Sequence, residues 1–317
     1  MQPLISHVIT SFNHEKWIEE TVRSAAEQSW AALEIVVCDD ASSDGTPALI
    51  RELARQYPGR VLPFTFTENV GVTRNCNRAL ARCRGEFVSF QGGDDVLLPG
   101  KFEQQVRTFD DPRVTLSGHQ VENFRWPEDP ANPPWTFTPL AWEGDASLIV
   151  EHGPIFSSTS IMVRKSAIPT RGFDERLPMT SDWKFLVDCL AGGGRFTMLR
   201  ETLARYRVLT SSVTRSRAEQ HLAEKHHTLQ LIADDDPSLA AAARRGQARL
   251  HLQAAEEAWQ RGDRLELLKK LSASVRAGPL VSHRQLSLLG ASLIPRRLVA
   301  PLRGVLQLAR AAARKSS

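Results

Sequence analysis

With 317 residues, of which 42% are hydrophobic and 24% charged, the chain is long enough to bury a sizeable core and hold one large domain or two modest ones. No run of about 18 uncharged apolar residues occurs. The N-terminus also lacks a basic stretch leading into an apolar one, so a cytoplasmic protein without a spanning helix or secretory leader is expected. The net charge of +4 is unevenly spread: no acidic residue follows Glu266, whereas Lys269, Lys270, Arg276, Arg284 and six further lysines and arginines do.

In chain order, the first half alternates strand and helix signals. "LISHVIT" from Leu4 is a short strand, "EKWIEETVRSAAEQ" an amphipathic helix and "LEIVVCDD" a second strand. Then come "SDGTPALIRELARQY", a helix with Asp44 or Thr46 as cap and Pro47 in its first turn, and the strand "VLPFTFT". "GVTRNCNRALARCRG" is a helix closed by Gly85, and "EFVSFQ" is a fourth strand. This alternation predicts an α/β domain with a largely parallel sheet, whose ligands collect at the carboxyl ends of the strands.

From Trp126 to Trp142 the chain is rich in proline and aromatics without periodicity, which reads as a long surface loop, either a lid or acceptor-facing wall or an inert insertion. "FSSTSIMVRKSAI" resumes as a strand, "SDWKFLVDCLAGGG" is a short helix with a glycine C-cap, and "RFTMLRETLARYRV" is extended. From about Ser216 onward the chain reads helical, with two antiparallel helices turning at Gly262-Asp263. Cys38, Cys76, Cys83 and Cys189 show neither CxxC pairing nor zinc-like spacing with histidines, so reduced, structural thiols are expected.

Two acidic pairs, Asp39-Asp40 and Asp94-Asp95, each end a predicted strand. Adjacent carboxylates repel and raise each other's pKa unless a cation or hydrogen-bond donors compensate. A hard divalent ion such as Mg²⁺ or Mn²⁺ meets that need, using one or two carboxylates plus substrate phosphates, and Gly92 and Gly93 leave room for a bulky ligand. The alternative is an ordinary turn in which Asp94 or Asp95 caps the next helix. Neither GxxxxGK[ST] nor GxGxxG occurs, which disfavours a P-loop enzyme and a dinucleotide-binding Rossmann domain.

The segments "VITSFNHEKWIEETVRSAAEQSWAALEIVVCDDASSDGT", "NVGVTRNCNRALARCRGEFVSFQGGDDVLLPGKF" and "SSTSIMVRKSAI…GFDERLPMTSDWKFLVDCLAGGG" closely resemble family 2 glycosyltransferases. The resemblance covers about residues 1 to 215 in consistent order. It implies a GT-A fold, a Rossmann-like mixed and mainly parallel sheet flanked by helices. It also implies a nucleotide-sugar-binding half over residues 1–110 and an acceptor-binding half over 111–215; residues 216–317, beyond the resemblance, read as an all-helical C-terminal extension.

By the same resemblance Thr10, Ser11, Phe12 and Asp40 hold the nucleotide base and ribose, and Arg74 touches the diphosphate or sugar. Asp94 contacts the ribose or a metal-bound water, Asp95 ligates Mn²⁺ or Mg²⁺, Asp182 is the general base and Trp183 walls the acceptor pocket. Each residue has a plainer reading: core packing for Phe12 and Trp183, a solvated helix arginine for Arg74, an N-cap for Asp182. Many relatives carry a further Asp at the position of Gly92, so metal binding here would lean more on the diphosphate and water.

The implied reaction is an inverting transfer of a sugar from a nucleoside-diphosphate donor, UDP- or dTDP-type favoured, to a hydroxyl of a glycan or lipid-linked acceptor in surface polysaccharide biosynthesis. The competing reading is a non-catalytic nucleotide-sugar-binding scaffold acting through its helical tail. That tail, "SLIPRRLVAPLRGVLQLARAAARKSS", fits either a helix on the cytoplasmic face of an anionic membrane or one packed on the catalytic domain. Basic residues without a recognised binding module give no case for nucleic acid.

Overall fold

The computed structural model describes residues 2–128, 132–209 and 218–278. The basic tail lies outside the described residues. Two compact units divide the chain, Met1–Thr228 and Leu229–Ser317.

The first unit is built on a nine-stranded mixed sheet. Its leading half comprises β1 (Ile5–Ser11), α1 (Ile18–Ala26), β2 (Leu33–Asp39), α2 (Thr46–Gln56), β3 (Val61–Thr65), α3 (Val72–Leu80) and β4 (Phe87–Gly92). These four strands are parallel, in the order β3, β2, β1, β4. β2 is buried along its whole length, as a central parallel strand covered on both faces must be. β3 takes the edge, where Pro63 forfeits no interior ladder bond. α1 turns Ile18, Val22 and Ala25 onto the sheet, all fully buried, each larger side chain contributing about 1.5–3 kcal/mol.

The second half adds β5 (Val96–Leu97), α4 (Lys101–Thr108), β6 (Val114–Arg125), β7 (Glu143–Gly144), α5 (Ala146–His152), β8 (Met162–Arg164), α6 (Ser181–Cys189) and β9 (Arg195–Val208). β8 runs antiparallel to both β4 and β6, and β6 runs parallel to β9. Three sequence expectations are corrected here. The twelve-residue β6 was not foreseen, because Ser117, His119, Gln120, Glu122 and Asn123 interrupt any apolar alternation. β8 is only three residues long, since Ser160 turns back to the Ser157 carbonyl through both its N–H (2.9 Å) and its hydroxyl (2.7 Å). Gly85 does not close α3, which ends at Leu80; it lies where a Cβ would crowd the backbone of Leu4 and Ser6.

A polar seam crosses the core between β1, α4 and β6. Lys101 is fully buried, its ammonium bonded to the Gln105 side-chain oxygen, and His7 and His119 lie within its field. Burial pushes the Lys101 pKa down to about 7 and that of His7 down to about 3.

In the chain beyond residue 217, α7 (Ala218–Asp235) is followed by α8 (Ala240–Arg261) and α9 (Arg264–Ala277). The α8–α9 hairpin turns where the sequence places it: Gly262 adopts a left-handed φ of 82° and the Asp263 carboxylate accepts the Glu266 N–H at 3.0 Å. Leu252, Ala255, Ala258, Leu267 and Leu271 form its core.

The seam gives a pH-dependent prediction. Lys101 has a folded pKa near 7, below its unfolded value, so the folded state is penalised at and below neutrality and regains stability as pH rises toward about 10. Lys101→Met is expected to raise Tm by a few degrees at pH 7, with the gap over wild type narrowing by pH 9.5. Paired calorimetric scans check this; a gap that is constant or widens with pH contradicts it.

Candidate active site

The carboxyl ends of β1, β2 and β4 lie side by side, with Ser11 opposite Asp39 and Thr10 opposite Gly92. Between β1 and β4 the chain order reverses, the position where open α/β sheets leave a crevice. The structure therefore brings Thr10, Ser11, Asp40, Asp94 and Asp95 to one edge. The loops above are cross-tied: the Asn13 N–H donates to Ser42 Oγ (2.8 Å), the Ser43 N–H to Asn13 Oδ1 (2.9 Å) and the His14 N–H to Thr46 Oγ1 (2.9 Å). Asn13 (φ 55°) and Ala41 (φ 61°) sit in the left-handed region, which costs an alanine about 1 kcal/mol that those cross-ties offset.

Phe12 is 46% exposed beside the crevice, so it is not a core residue. Asp40 is buried, and its carboxylate already accepts the N–H groups of Val70 (3.0 Å) and Gly71 (2.9 Å). It holds the loop that leads into α3. Arg74 points outward to Glu175, with Nε 3.0 Å from Oε2 and both side chains largely exposed, and is not directed at the acidic corner.

At that corner Asp94 Oδ1 and Asp95 Oδ2 converge over Gly92, where a Cβ would stand 2.9 and 3.4 Å from them. Asp95 is buried; its Oδ1 accepts the Arg207 N–H at 3.0 Å while its Oδ2 has no partner. Burial raises the pKa of both carboxyls, and Asp94 raises that of Asp95 further. Arg207, itself buried, supplies a resident cation: Nε donates to the Asp94 carbonyl (2.8 Å) and a terminal nitrogen to Glu20 on α1 (2.8 Å). Its guanidinium lies 4.6 Å from the Phe124 ring centre and 4.9 Å from that of Trp126. On the other side His14 Nδ1 is buried without a partner and would collide with a Cβ at Gly93. Burial lowers the His14 pKa against the pull of Asp94, Asp44 and Asp39.

Asp182 lies in the first turn of α6 and opens onto a cavity of about 480 Å³, walled by β6 residues, Tyr206, the 154–158 segment and Phe137 to Leu140. The protein around its carboxyl displaces bulk water and raises its pKa, partly offset by the Trp183 N–H donated at 2.8 Å. The 126–142 loop thus supplies one wall of this cavity, anchored where Trp135 pairs with Asn123 and where the Trp142 carbonyl accepts the Met198 N–H at 2.7 Å. Trp183 does not reach the cavity lining. It is 2% exposed, and its indole N–H donates to the Ile149 carbonyl at 2.9 Å, so it braces α6 from behind.

Three residues escaped the sequence reading: His14, Tyr206 and Arg207. Tyr206 lines the cavity, and burial together with Asp95, Asp94 and Asp182 pushes its phenol up to about 12. Neighbouring residues of a strand face opposite ways, so the Tyr-Arg end of β9 sends one side chain to the cavity and the other beneath the acidic corner. An uncompensated acidic pair was the available signal that a buried arginine had to be found elsewhere in the chain.

No group of three or more His, Cys, Asp or Glu side chains disposed to hold a metal occurs among the described residues. The unpartnered Asp95 Oδ2 and the convergence of two carboxylate oxygens over a residue without a side chain nevertheless fit a hard divalent ion completed by ligand oxygens.

A parallel β3-β2-β1-β4 half joined to a mixed half, with an acidic turn after β4, defines a GT-A type α/β protein. The chain belongs to glycosyl transferase family 2, whose model matches residues 6–172. It is 34% identical over 206 residues to the uncharacterized protein Rv1520 of Mycobacterium tuberculosis, a match covering 64% of this chain and 58% of the relative's length. Among solved structures it is similar in fold to S. aureus TarS 1–349 in complex with UDP-GlcNAc (TM-score 0.65, 19% identity, 90% of this chain and 83% of the other). It is similar too to mannosyltransferase PcManGT from Pyrobaculum calidifontis in complex with GDP-Man and Mn²⁺ (TM-score 0.59, 22% identity, 98% and 87%).

Asp95→Asn tests whether the corner is held under strain. An amide beside Asp94 removes a buried like charge and can donate to it, so Tm without metal is expected to rise by a few degrees. A lower metal-free Tm for the variant would contradict the account.

Proposed function

We propose that the chain transfers a sugar from a nucleoside diphosphate to a hydroxyl of a glycan or lipid-linked acceptor, with inversion at the anomeric carbon. The observation that carries this reading is Tyr206, which lines the Asp182 cavity and lies within the electrostatic reach of Asp94, Asp95 and Asp182. A site for the leaving diphosphate and a site for the attacking hydroxyl would thus share one wall.

Thr10, Ser11 and the exposed ring of Phe12 would receive the ribose and base, with Asp40 shaping the loop that closes over them. Asp94 and Asp95 would hold Mn²⁺ or Mg²⁺, which when bound supplies positive charge to the departing diphosphate. Asp182 would take the proton of the acceptor hydroxyl as the new bond forms on the face opposite the leaving group. Its raised pKa makes it a stronger base than an ordinary carboxylate. The cavity mixes His119, Gln120, Asn123 and Ser157 with Phe137, Phe156 and Tyr206, a lining suited to the polar edges and apolar faces of sugar rings. UDP-, dTDP- and GDP-linked donors belong in the test, since the structural neighbours hold UDP-GlcNAc in one case and GDP-Man in another.

A thermal-shift panel of these nucleotide sugars with and without Mn²⁺ is expected to show metal-dependent stabilisation by one nucleotide class. Asp182→Asn should keep that stabilisation and lose donor turnover by roughly 10²- to 10⁴-fold. Full turnover in Asp182→Asn would remove the carboxylate from the mechanism.

A further inference from the structure

Asp182 stands at the start of α6, and the way that helix starts is unusual. Thr180 occupies the N-cap position but gives its own helix no side-chain cap. The acceptor comes instead from α7. Glu224 Oε1 accepts the Met179 N–H at 2.6 Å, the Thr180 N–H at 2.7 Å and the Thr180 hydroxyl at 3.0 Å. Three donors converge on one carboxylate oxygen, as at a helix N-terminus that binds an anion. The Thr180 hydroxyl also meets that of Thr228 at 2.6 Å.

One residue further on, Ser181 Oγ lies 2.9 Å from Thr73 Oγ1 in the first turn of α3, and Thr73 donates to the Leu177 carbonyl at 2.9 Å. Among the described residues Asp182 receives from others only the adjacent Trp183 N–H, and its side chain opens onto the cavity. Its position is therefore set by the backbone just before it, clamped between α3 and α7.

We propose that Glu224 is the positioning residue for Asp182: reaching from α7, its carboxylate fixes the two residues from which α6 departs and so sets where the Asp182 carboxylate enters the cavity. This rests on the reading of Asp182 as the base. It also gives the helical segment after residue 217 a task in the reaction, since the carboxylate that orients the reacting group is carried there. The charged and titratable groups facing Asp182 are Cys76 on α3, Tyr206 on β9, and Glu224 and Lys225 on α7. Lys225 lowers its pKa and Glu224 raises it.

The test compares Glu224→Ala, Glu224→Asp and Glu224→Gln in the full chain. The probe is nucleoside diphosphate released with Mn²⁺ from the UDP-, dTDP- or GDP-sugar that the panel selects. Rates are taken per folded molecule, and Asp182→Asn is run alongside. Glu224→Ala is expected to lower kcat roughly 10- to 100-fold, the scale of a misplacement near 1 Å, with donor KM changed less than about twofold. Glu224→Asp, which keeps the charge but withdraws the oxygen by a methylene, should be impaired similarly. Glu224→Gln, which keeps the reach and loses the charge, should rescue most of kcat and move the acidic limb of the kcat profile to lower pH. Wild-type kcat in Glu224→Ala, or an active Asp variant beside an inactive Gln variant, overturns the proposal. Should Glu224→Ala not fold, the Asp and Gln pair decides alone. An active Asp182→Asn overturns the reading of Asp182 and not the clamp geometry, so the two failures are distinguishable.

Discussion

The arrangement depends on a buried guanidinium placed beneath two adjacent carboxylates. Without Arg207, the turn after β4 would bring Asp94 and Asp95 together in a site that burial already makes hostile to charge. Arg207 comes from the end of β9, more than a hundred residues away in sequence, and it also reaches Glu20 on α1. A single side chain therefore joins the parallel half of the sheet, the last long strand and the first helix. The compensation is partial, because Asp95 keeps one oxygen without a partner. That unpartnered oxygen costs stability.

The same principle runs through the second half of the site. Few of the described groups satisfy Asp182, and it can be left so because the residues before it are held from two sides. Order is supplied to the backbone, and the side chain is kept free. The buried indole of Trp183 belongs to that support, filling the space behind α6 rather than facing a ligand.

The parallel half was legible because its signals are local. Short strands rich in apolar residues, a proline in the first turn of α2 and acidic corners at strand ends all lie within a few residues of the structure they specify. The mixed half was less so. β6 carries polar residues because one face of it lines a cavity, and that face erases the alternation by which a strand is recognised. Likewise Asp94, Asp95 and Asp182 could be named from their motifs, whereas His14, Tyr206, Arg207 and Glu224 matter through contacts made across the fold. No spacing in the chain encodes those contacts. Arg74 shows the converse, a motif position whose side chain turns to a surface partner, Glu175.

Asp40 is not a vacant socket. Both of its oxygens are engaged by the loop before α3, and the Asn69 side chain holds its carbonyl at 2.9 Å. A nucleobase N–H donating to this carboxylate would have to share it with the protein's own chain. Discrimination between nucleobases at this position would then be a contest between two occupants, in which the loop has a standing claim. Whatever draws on Asp40 therefore draws on the backbone at Val70 and Gly71, next to the helix whose first turn touches Ser181.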